Sequence, residues 1–387
     1  MDPKIENRKE ENGEMTFTLK NVDTSIANAL RRTILVDIPI LVFRTTPHSE
    51  NKCNITKNTT KLNDEIIKHR LSCIPICLNN IDAEVKLSDN SLVNIRECIL
   101  EVDKNNTSDM MQTLHTGDFK IKHEESKKYV SDRELRKIFP PFNPDGNDYF
   151  IDLVRLSPKI SDELPGEAIA FTCSFDVGTA KEYASFNVAG TCSYGCTVDA
   201  HGVKTKLDDL KSVWKSENKS EDEIEFEAKN WKLLDGMRHI TQNSFDFILN
   251  SVGIYSNQEL VVQACDVLVH EFTKLSKKNK EEELNVVPNP VMQNGFDITL
   301  EKEDHTIGNI ISWMLMTKYF GENKYLTFCG IHRPHPHVNY ITLRIAFSDE
   351  KSESESNNMT TTIRTMIHEC IEETIKIFNI IRNKFDK

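Results

Sequence analysis

The sequence predicts an α+β chain that fuses two related modules, the first of which carries an inserted, mostly β domain. The main observation is a repeat, in which DTSIANAL (residues 23–30) returns near the end of the chain as DHTIGNII (residues 304–311). A strand-like stretch that begins with phenylalanine precedes each copy, at Phe17 to Lys20 and at Phe296 to Glu301. A repeated strand-turn-helix unit indicates two related modules, and such modules most simply pair with each other as the subunits of a homodimer do.

Composition limits the classes of function. The chain has 387 residues, 38% of them hydrophobic and 28% charged, which is typical of a globular protein with several domains. Its net charge of -12 argues against nucleic-acid binding without sequence preference, so we expect no DNA contact or only a weak one. The sequence has no apolar run of the roughly 20 residues that a membrane span needs, and its polar start does not resemble a signal peptide. Ten scattered cysteines indicate reduced thiols and an intracellular location.

The first module is predicted at residues 1–49 and 181–280. Residues 1–14 are expected to form a frayed tail, and Phe17 to Lys20 a short strand. Thr24 or Ser25 is expected to cap a helix that Pro39 ends. Ile40 to Phe43 then form a buried strand. The helix has one apolar stripe, which consists of Ile26, Leu30, Ile34 and Ile38.

Residues 50–180 are predicted to form the inserted domain, because they combine polar loops with short strand-like runs. Within it, Asn63 is expected to cap a helix that runs to Leu71. The runs are Ile81 to Leu87, Ile95 to Val102, Tyr149 to Leu156 and Ala168 to Phe175.

The chain is then expected to return to the first module with a strand over Tyr183 to Val188, a charged helical excursion over residues 204–230 and a strand over Ser244 to Leu249. Ser256 to Glu259 has the sequence of a capping box and begins an amphipathic helix. Residues 281–292 are predicted to be the linker between the modules, with Val287 to Pro290 as a stiff connector.

The second module is predicted at residues 293–387, with a helix after Asp304, strands over Leu326 to Ile331 and Tyr340 to Phe347, a loop over Ser348 to Asn358 and a last amphipathic helix. An amphipathic helix of this length needs a partner, and the helix after Ser256 is the natural one. The residues predicted to pair the modules are Asn28, Leu30, Leu260, Leu268, Phe272, Ile307, Asn309, Ile367, Ile371 and Phe378.

Several polar groups invite a catalytic or metal-binding interpretation. His332, His335 and His337 lie close together, but the intervening prolines favour a structural turn. The pairs Cys73/Cys77 and Cys192/Cys196 lack the spacing of zinc knuckles. Glu65 and His69 fall on one helical face, where an acid/base pair or, more simply, an i,i+4 surface pair is expected. We therefore expect no cofactor, no metal and no catalytic residue.

Specific motifs point to a family. NALRR (residues 28–32) followed by Ile38-Pro39, and NTT (58–60) with LNDEIIKHRLSCIPI (62–76), resemble the signature shared by the bacterial α subunit, the archaeal D polypeptide and the third subunit of eukaryotic RNA polymerase II. HTIGNII (305–311) with GIHRPHP (330–336) resembles the archaeal L polypeptide and the eleventh subunit of polymerase II. The resemblance covers most of residues 15–80, patches of 150–275 and nearly all of 295–385.

The resemblance implies two dimerisation modules, each an antiparallel sheet with packed helices, in a non-catalytic assembly subunit of a multisubunit DNA-dependent RNA polymerase. The implied partners are the second-largest and largest subunits and a small zinc-containing subunit. Docking is expected at Arg31, Arg32, Glu65, His69 and Arg70. The fusion resembles the polymerase subunit of large cytoplasmic DNA viruses, which implies the host cytoplasm or the virion.

The chain departs from the family pattern at two places. It has no closely spaced cysteines where the eukaryotic subunit has a zinc loop, and YASF (183–186) replaces the family's His-Ala-Lys-[Phe/Trp] stretch. Two other functions remain open from the residues alone: a stand-alone metal-dependent hydrolase that uses the histidines near 335, and a structural homo-oligomer.

Overall fold

The computed structural model describes residues 2–161, 163, 165–320, 325–348 and 359–386. The predicted loop over Ser348 to Asn358 therefore lies, apart from Ser348, outside the described residues. The chain forms two compact units. Unit 1 comprises Met1–Ile34, Thr191–Asn250 and Asn257–Lys387, and unit 2 comprises Leu35–Gly190 and Ser251–Ser256.

The elements are numbered in chain order. The strands are β1 Lys4–Glu11, β2 Glu14–Lys20, β3 Ile40–Val42, β4 Cys53–Asn58, β5 Glu84–Lys86, β6 Leu92–Asn94, β7 Cys98–Asn105, β8 Gln112–His115, β9 Lys120–His123, β10 Asp152–Leu156, β11 Ala168–Ser174, β12 Asp176–Gly178, β13 Ala189–Val198, β14 Ile240–Ser251, β15 Asn285–Pro288, β16 Gly295–Glu301, β17 Leu326–His332 and β18 Tyr340–Phe347. The helices are α1 Thr24–Val36, α2 Asp64–Ser72, α3 Asp132–Ile138, α4 Ala200–Ser216, α5 Glu221–Leu233, α6 Asn257–Lys280, α7 His305–Leu315 and α8 Met359–Phe385.

Two sheets with one topology organise unit 1. The strand order is β1-β2-β14-β13 in the first sheet and β15-β16-β18-β17 in the second. In chain order, β2 and β16 are each followed by a helix that starts with the repeated motif, namely α1 and α7. The strands β14 and β18 are each followed by a long amphipathic helix, namely α6 and α8. The eight-residue repeat therefore marks a repeat of the whole strand-strand-helix-strand-strand-helix module, and the α+β class with two antiparallel modules is confirmed.

The repeated motif starts a helix in the same way in both modules. The Asp23 carboxylate accepts the Ser25 backbone N–H at 2.8 Å, and the Asp304 carboxylate accepts the Thr306 backbone N–H at 2.8 Å. The prediction of Thr24 or Ser25 as the cap was wrong by one or two residues. An aspartate at this position satisfies a free N–H and also places negative charge at the positive end of the helix dipole.

The first strand of each module was missed in the sequence. Residues 4–11 form β1 rather than a frayed tail, with Lys4 opposite Lys20 and Glu11 opposite Glu14. The predicted connector is also a strand over part of its length, because β15 pairs with β16 as far as Pro288. Both are edge strands whose side chains mostly face water, so they lack the apolar alternation that reveals an inner strand. An edge also tolerates a proline.

The connection between β12 and β13 also differs from the prediction. Ala184–Phe186 is a short 3-10 turn, and the strand predicted over residues 183–188 begins only at Ala189. The turn places Phe186, 2% exposed, beneath Gly178, where a Cβ would lie 2.8 Å from the phenylalanine ring. Burial of the Phe186 side chain against Gly178 favours this turn over the extended backbone that was predicted for residues 183–188. The charged excursion is helical as predicted, and forms α4 and α5.

Unit 2 is mostly β structure around its own core. The sheet β4-β11-β7-β9 is joined by the pairs β10-β8, β5-β6 and β12-β3. The Asn63 side chain caps α2 as predicted, accepting the Ile66 N–H at 2.9 Å. Because β3 pairs with β12, the unit begins before residue 50, and it also continues past residue 180 to Gly190. Among the described helices, none has the length and hydrophobicity required to cross a bilayer.

Candidate module-pairing interface and docking residues

Helices α6 and α8 join the two modules within unit 1. The rings of Phe272 and Phe378 stack with centroids 6.3 Å apart, and Arg382 donates to the Asp266 carboxylate at 2.6 Å. Since residue numbers rise along α6 as they fall along α8, the helices are antiparallel. The six residues predicted for this seam are all at most 2% exposed: Leu260, Leu268, Phe272, Ile367, Ile371 and Phe378.

The antiparallel register decides which of these residues face each other. Val262 and Phe385 line one small cavity of about 200 Å³, so Leu260 lies level with the end of α8 and about five turns away from Ile367. The Phe385 ring packs edge-on against Phe17 at 5.0 Å. Phe385 was not among the residues predicted to pair the modules. Phe385 could have been predicted from the sequence, because it continues the apolar stripe of α8 by one more turn.

A side chain of α8 also holds the chain between the modules. The Arg364 guanidinium donates to the backbone carbonyls of Asn279, Glu282 and Leu284 at 3.2, 3.2 and 3.0 Å. In return, the Asn279 side chain donates to the Arg364 carbonyl at 2.8 Å. The Arg364 guanidinium therefore bonds one carbonyl in the last turn of α6 and two carbonyls of the chain that follows this helix. No sequence pattern pointed to this arginine.

Arg32, predicted as a docking residue, bonds to the second module. Its guanidinium donates to the Thr306 hydroxyl at 2.9 Å and to the Asp304 carboxylate at 3.2 Å. It therefore connects the helices that begin with the two copies of the repeat. The Arg32 side chain keeps 42% of its surface exposed.

The other motif residues have different environments. Leu30 and Ile307 are buried, at 0% and 6% exposure. The Asn28 side-chain oxygen accepts hydrogen bonds from Nε and from a terminal nitrogen of Arg31, at 3.1 and 2.9 Å. These two bonds orient the Arg31 guanidinium. Asn309 is exposed, and we find no hydrogen bond from its side chain to the described part of the other module.

The remaining docking candidates lie on α2 in unit 2, whereas Arg31 and Arg32 lie in unit 1. Glu65, His69 and Arg70 are all exposed. The His69 ring lies edge-on to Tyr183 with centroids 6.5 Å apart, and Arg70 donates to the Asp152 carbonyl at 3.1 Å. Over the described chain, Glu65 and His69 form no ion pair with each other.

Arg70 lies in a basic groove. It lines a cavity of about 440 Å³ together with Lys61, Arg155 and Met111, and Asp152 supplies the one carboxylate among the described lining residues. Met111 is 60% exposed. Three cations beside an exposed methionine suit a partner that offers carboxylates or carbonyl oxygens around an apolar side chain.

The histidines near residue 335, considered as metal ligands, lie in a turn. His337 donates its backbone N–H to Nδ1 of His335 at 3.1 Å, and Arg333 donates twice to the Val338 carbonyl at 3.2 and 2.7 Å. Cys73 and Cys196 are exposed, whereas Cys192 is buried. Within the described ranges, no three His, Cys, Asp or Glu side chains are grouped so that they could hold a metal ion.

Comparison with known proteins gives two matches to family models. Both models are described as the RNA polymerase Rpb3/Rpb11 dimerisation domain, and they match residues 16–272 and 296–384. The chain is 30% identical over 192 residues to DNA-directed RNA polymerase subunit Rpo3 of Methanosphaera stadtmanae, covering 49% of this chain and 60% of the relative.

Two eukaryotic relatives extend the comparison. Over 302 residues the chain is 24% identical to DNA-directed RNA polymerase II subunit RPB3 of Schizosaccharomyces pombe, covering 73% of this chain and 94% of that protein. Over 80 residues it is 35% identical to DNA-directed RNA polymerase II subunit rpb3 of Dictyostelium discoideum, covering 21% of this chain and 24% of the relative. The chain thus spans about 60% of the archaeal relative and a quarter of the Dictyostelium one. Because one family model matches well over half of its length and a second matches residues 296–384, the chain belongs to the RNA polymerase Rpb3/Rpb11 dimerisation domain family and contains two domains of that type.

Proposed function

We propose that this chain is a non-catalytic assembly subunit of a multisubunit DNA-dependent RNA polymerase. Its paired modules would form a platform that binds the second-largest and then the largest subunit. The observation that carries the proposal is the pairing of two family domains on one polypeptide through α6 and α8. The three relatives described above are named as polymerase subunits, which supports the same conclusion.

Nucleotide addition is assigned to the large partner chains, so this chain is not an enzyme by itself and needs no cofactor. From the resemblance of the sequence we further propose that the chain is a fused subunit of a large cytoplasmic DNA virus. It would be located in the host cytoplasm or the virion, with a small zinc-containing subunit as a further partner.

As docking residues we propose Arg31 and Arg32 in unit 1 and Glu65, His69 and Arg70 in unit 2, with unequal roles. Arg31 is oriented by Asn28 and half-exposed, and Arg70 lies in the basic groove of unit 2. These two arginines offer forked donors to carboxylates or carbonyls of the second-largest subunit. Arg32 already bonds to Asp304, so its contribution to docking would be indirect, through the pairing of the modules.

The test is co-expression of the chain with the two large polymerase subunits of the same genome, followed by affinity capture. The double variant Arg31→Ala with Arg70→Ala should fold, by circular dichroism, and capture the second-largest subunit less well. Truncating such anchors typically costs about 2–5 kcal/mol of binding, since the partner's group is left unpaired. The matched control is Arg136→Ala with Arg238→Ala, which removes one arginine from each unit at side chains 62% and 83% exposed.

Two outcomes would contradict different parts of the proposal. Capture by the wild-type chain with undiminished capture by the folded double variant would refute the docking residues alone. No capture of either large subunit by the wild-type chain would refute the assembly function. A homo-oligomer by light scattering, or one bound metal per chain with hydrolase activity, would then favour one of the two other functions.

A further inference from the structure

The α4–α5 hairpin, inserted between β13 and β14, carries a groove that the polymerase proposal leaves without a role. It encloses a cavity of about 560 Å³ between α4 and the 3-10 turn Asp235–Arg238. Its floor is apolar. Leu207 is 4% exposed and Met237 is 56% exposed, and Val203 lies beside them. An exposed methionine adapts to many apolar partners, because its side chain is unbranched and flexible.

The walls of this groove are fixed by bonds within the hairpin. The Asp199 backbone N–H donates to the His239 carbonyl at 2.9 Å, which ties the start of α4 to the end of the turn. The Asp199 carboxylate caps α4 by accepting the His201 N–H at 3.1 Å. A Cβ at Gly236 would lie 3.2 Å from the Trp231 carbonyl oxygen, so the turn packs closely on α5. The groove is therefore largely preformed.

The rim of the groove is basic. Lys204, Lys211 and Lys232 line it, against Asp208 as the one carboxylate among the described lining residues. Neither Lys204 nor Lys232 has an ion-pair partner within the part of the chain that the structure covers. This local excess of positive charge contrasts with the net charge of -12 for the whole chain.

We propose that this groove binds an acidic amphipathic segment of a partner protein, with an apolar side chain against Leu207 and Met237 and carboxylates beside Lys204 and Lys232. The basic rim favours a negatively charged partner, and the apolar floor favours a partner with an apolar side chain to bury there. The acidic stretch at residues 349–358 of the chain itself, DEKSESESNN, supplies carboxylates but no apolar side chain. The inference does not depend on the polymerase function.

The test uses a helical peptide about four turns long that has leucine on one face and glutamate on the other. A second peptide has lysine in place of each glutamate. Fluorescence anisotropy with the full chain should show the acidic peptide binding at least about tenfold more tightly, with an affinity that falls as salt is added. Equal binding of the two peptides, or no binding of the acidic one, would overturn the proposal.

Charge reversal locates the binding site. Lys204→Glu with Lys232→Glu should weaken the acidic peptide about tenfold or more, since two attractions become repulsions. Lys206→Glu with Lys215→Glu is the control, because it makes the same change at exposed positions of α4 outside the groove, and its effect should stay within about twofold. Equal weakening by both pairs would show a diffuse charge effect and refute the groove. If deletion of residues 349–358 raised affinity tenfold, the groove would belong to the chain's own acidic segment and the partner assignment would fail.

Discussion

Replacing Ile371 with aspartate tests the pairing of the modules most directly. Ile371 is fully buried in the seam between α6 and α8. Removing most of a buried isoleucine costs about 2–5 kcal/mol through lost burial and the cavity that remains. An unpaired carboxylate in that site adds a desolvation penalty of similar size or larger. We expect a total loss of several kcal/mol, a large share of the roughly 5–15 kcal/mol by which a domain is stable.

The loss should depend on pH in a defined direction. Burial raises the folded-state pKa of the new carboxyl above its unfolded value of about 3.9. Well below that pH the group is neutral in both states, so the added penalty is smallest there. As the pH rises toward the raised folded pKa, the penalty grows by about 1.4 kcal/mol per pH unit.

The assay is urea denaturation followed by circular dichroism, with hydrogen exchange read separately for α6 and α8 because the chain has two units. Lys376→Asp is the matched control, since it places an aspartate on the exposed face of the same helix. If Ile371→Asp left the midpoint and the exchange of both helices like those of Lys376→Asp, the pairing of the modules through this seam would be refuted.

Three further changes test other parts of unit 1. Arg364→Ala should free one carbonyl at the end of α6 and two in the linker, cost about 1–3 kcal/mol and speed proteolysis after residue 280. An unchanged cleavage rate would contradict the anchoring role of Arg364. Arg344 donates to both carboxylate oxygens of Asp297 at 2.7 and 2.8 Å, and these bonds lower the pKa of that carboxyl. The ion pair contributes roughly 1 kcal/mol of stability, which is present above about pH 4 and is lost as the pH falls through the folded-state pKa. Asp297→Asn should therefore flatten the acid limb of stability, and a limb as steep as that of wild type would refute this role. Gly308→Val should destabilise the second module by about 1–3 kcal/mol, because a Cβ there would overlap Cδ1 of the buried Ile341 side chain. A melting temperature equal to that of wild type would show that the site has room.

The modular plan could be predicted from the amino-acid sequence, since that plan depends on local signals. The Asp-x-[Ser/Thr] repeat is a helix start that local backbone bonding explains, and it recurs once in each module. The stripes of α6 and α8 follow from the helical period, so their buried residues could be named without coordinates. The Asn63 cap is local in the same sense.

Features that depend on contacts between distant segments could not be predicted and became apparent in the folded chain. The edge strands β1 and β15 exist because β2 and β16 offer them free hydrogen-bonding groups, and their own polar side chains carry no periodic signal. Arg32 looked like a free docking group, but 272 residues separate it from the aspartate that it bonds in the structure. Arg364 likewise anchors carbonyls as many as 85 residues away. Side chains that bond to backbone or to single remote groups leave no pattern in the sequence, because any exposed arginine has the same local context until the chain has folded.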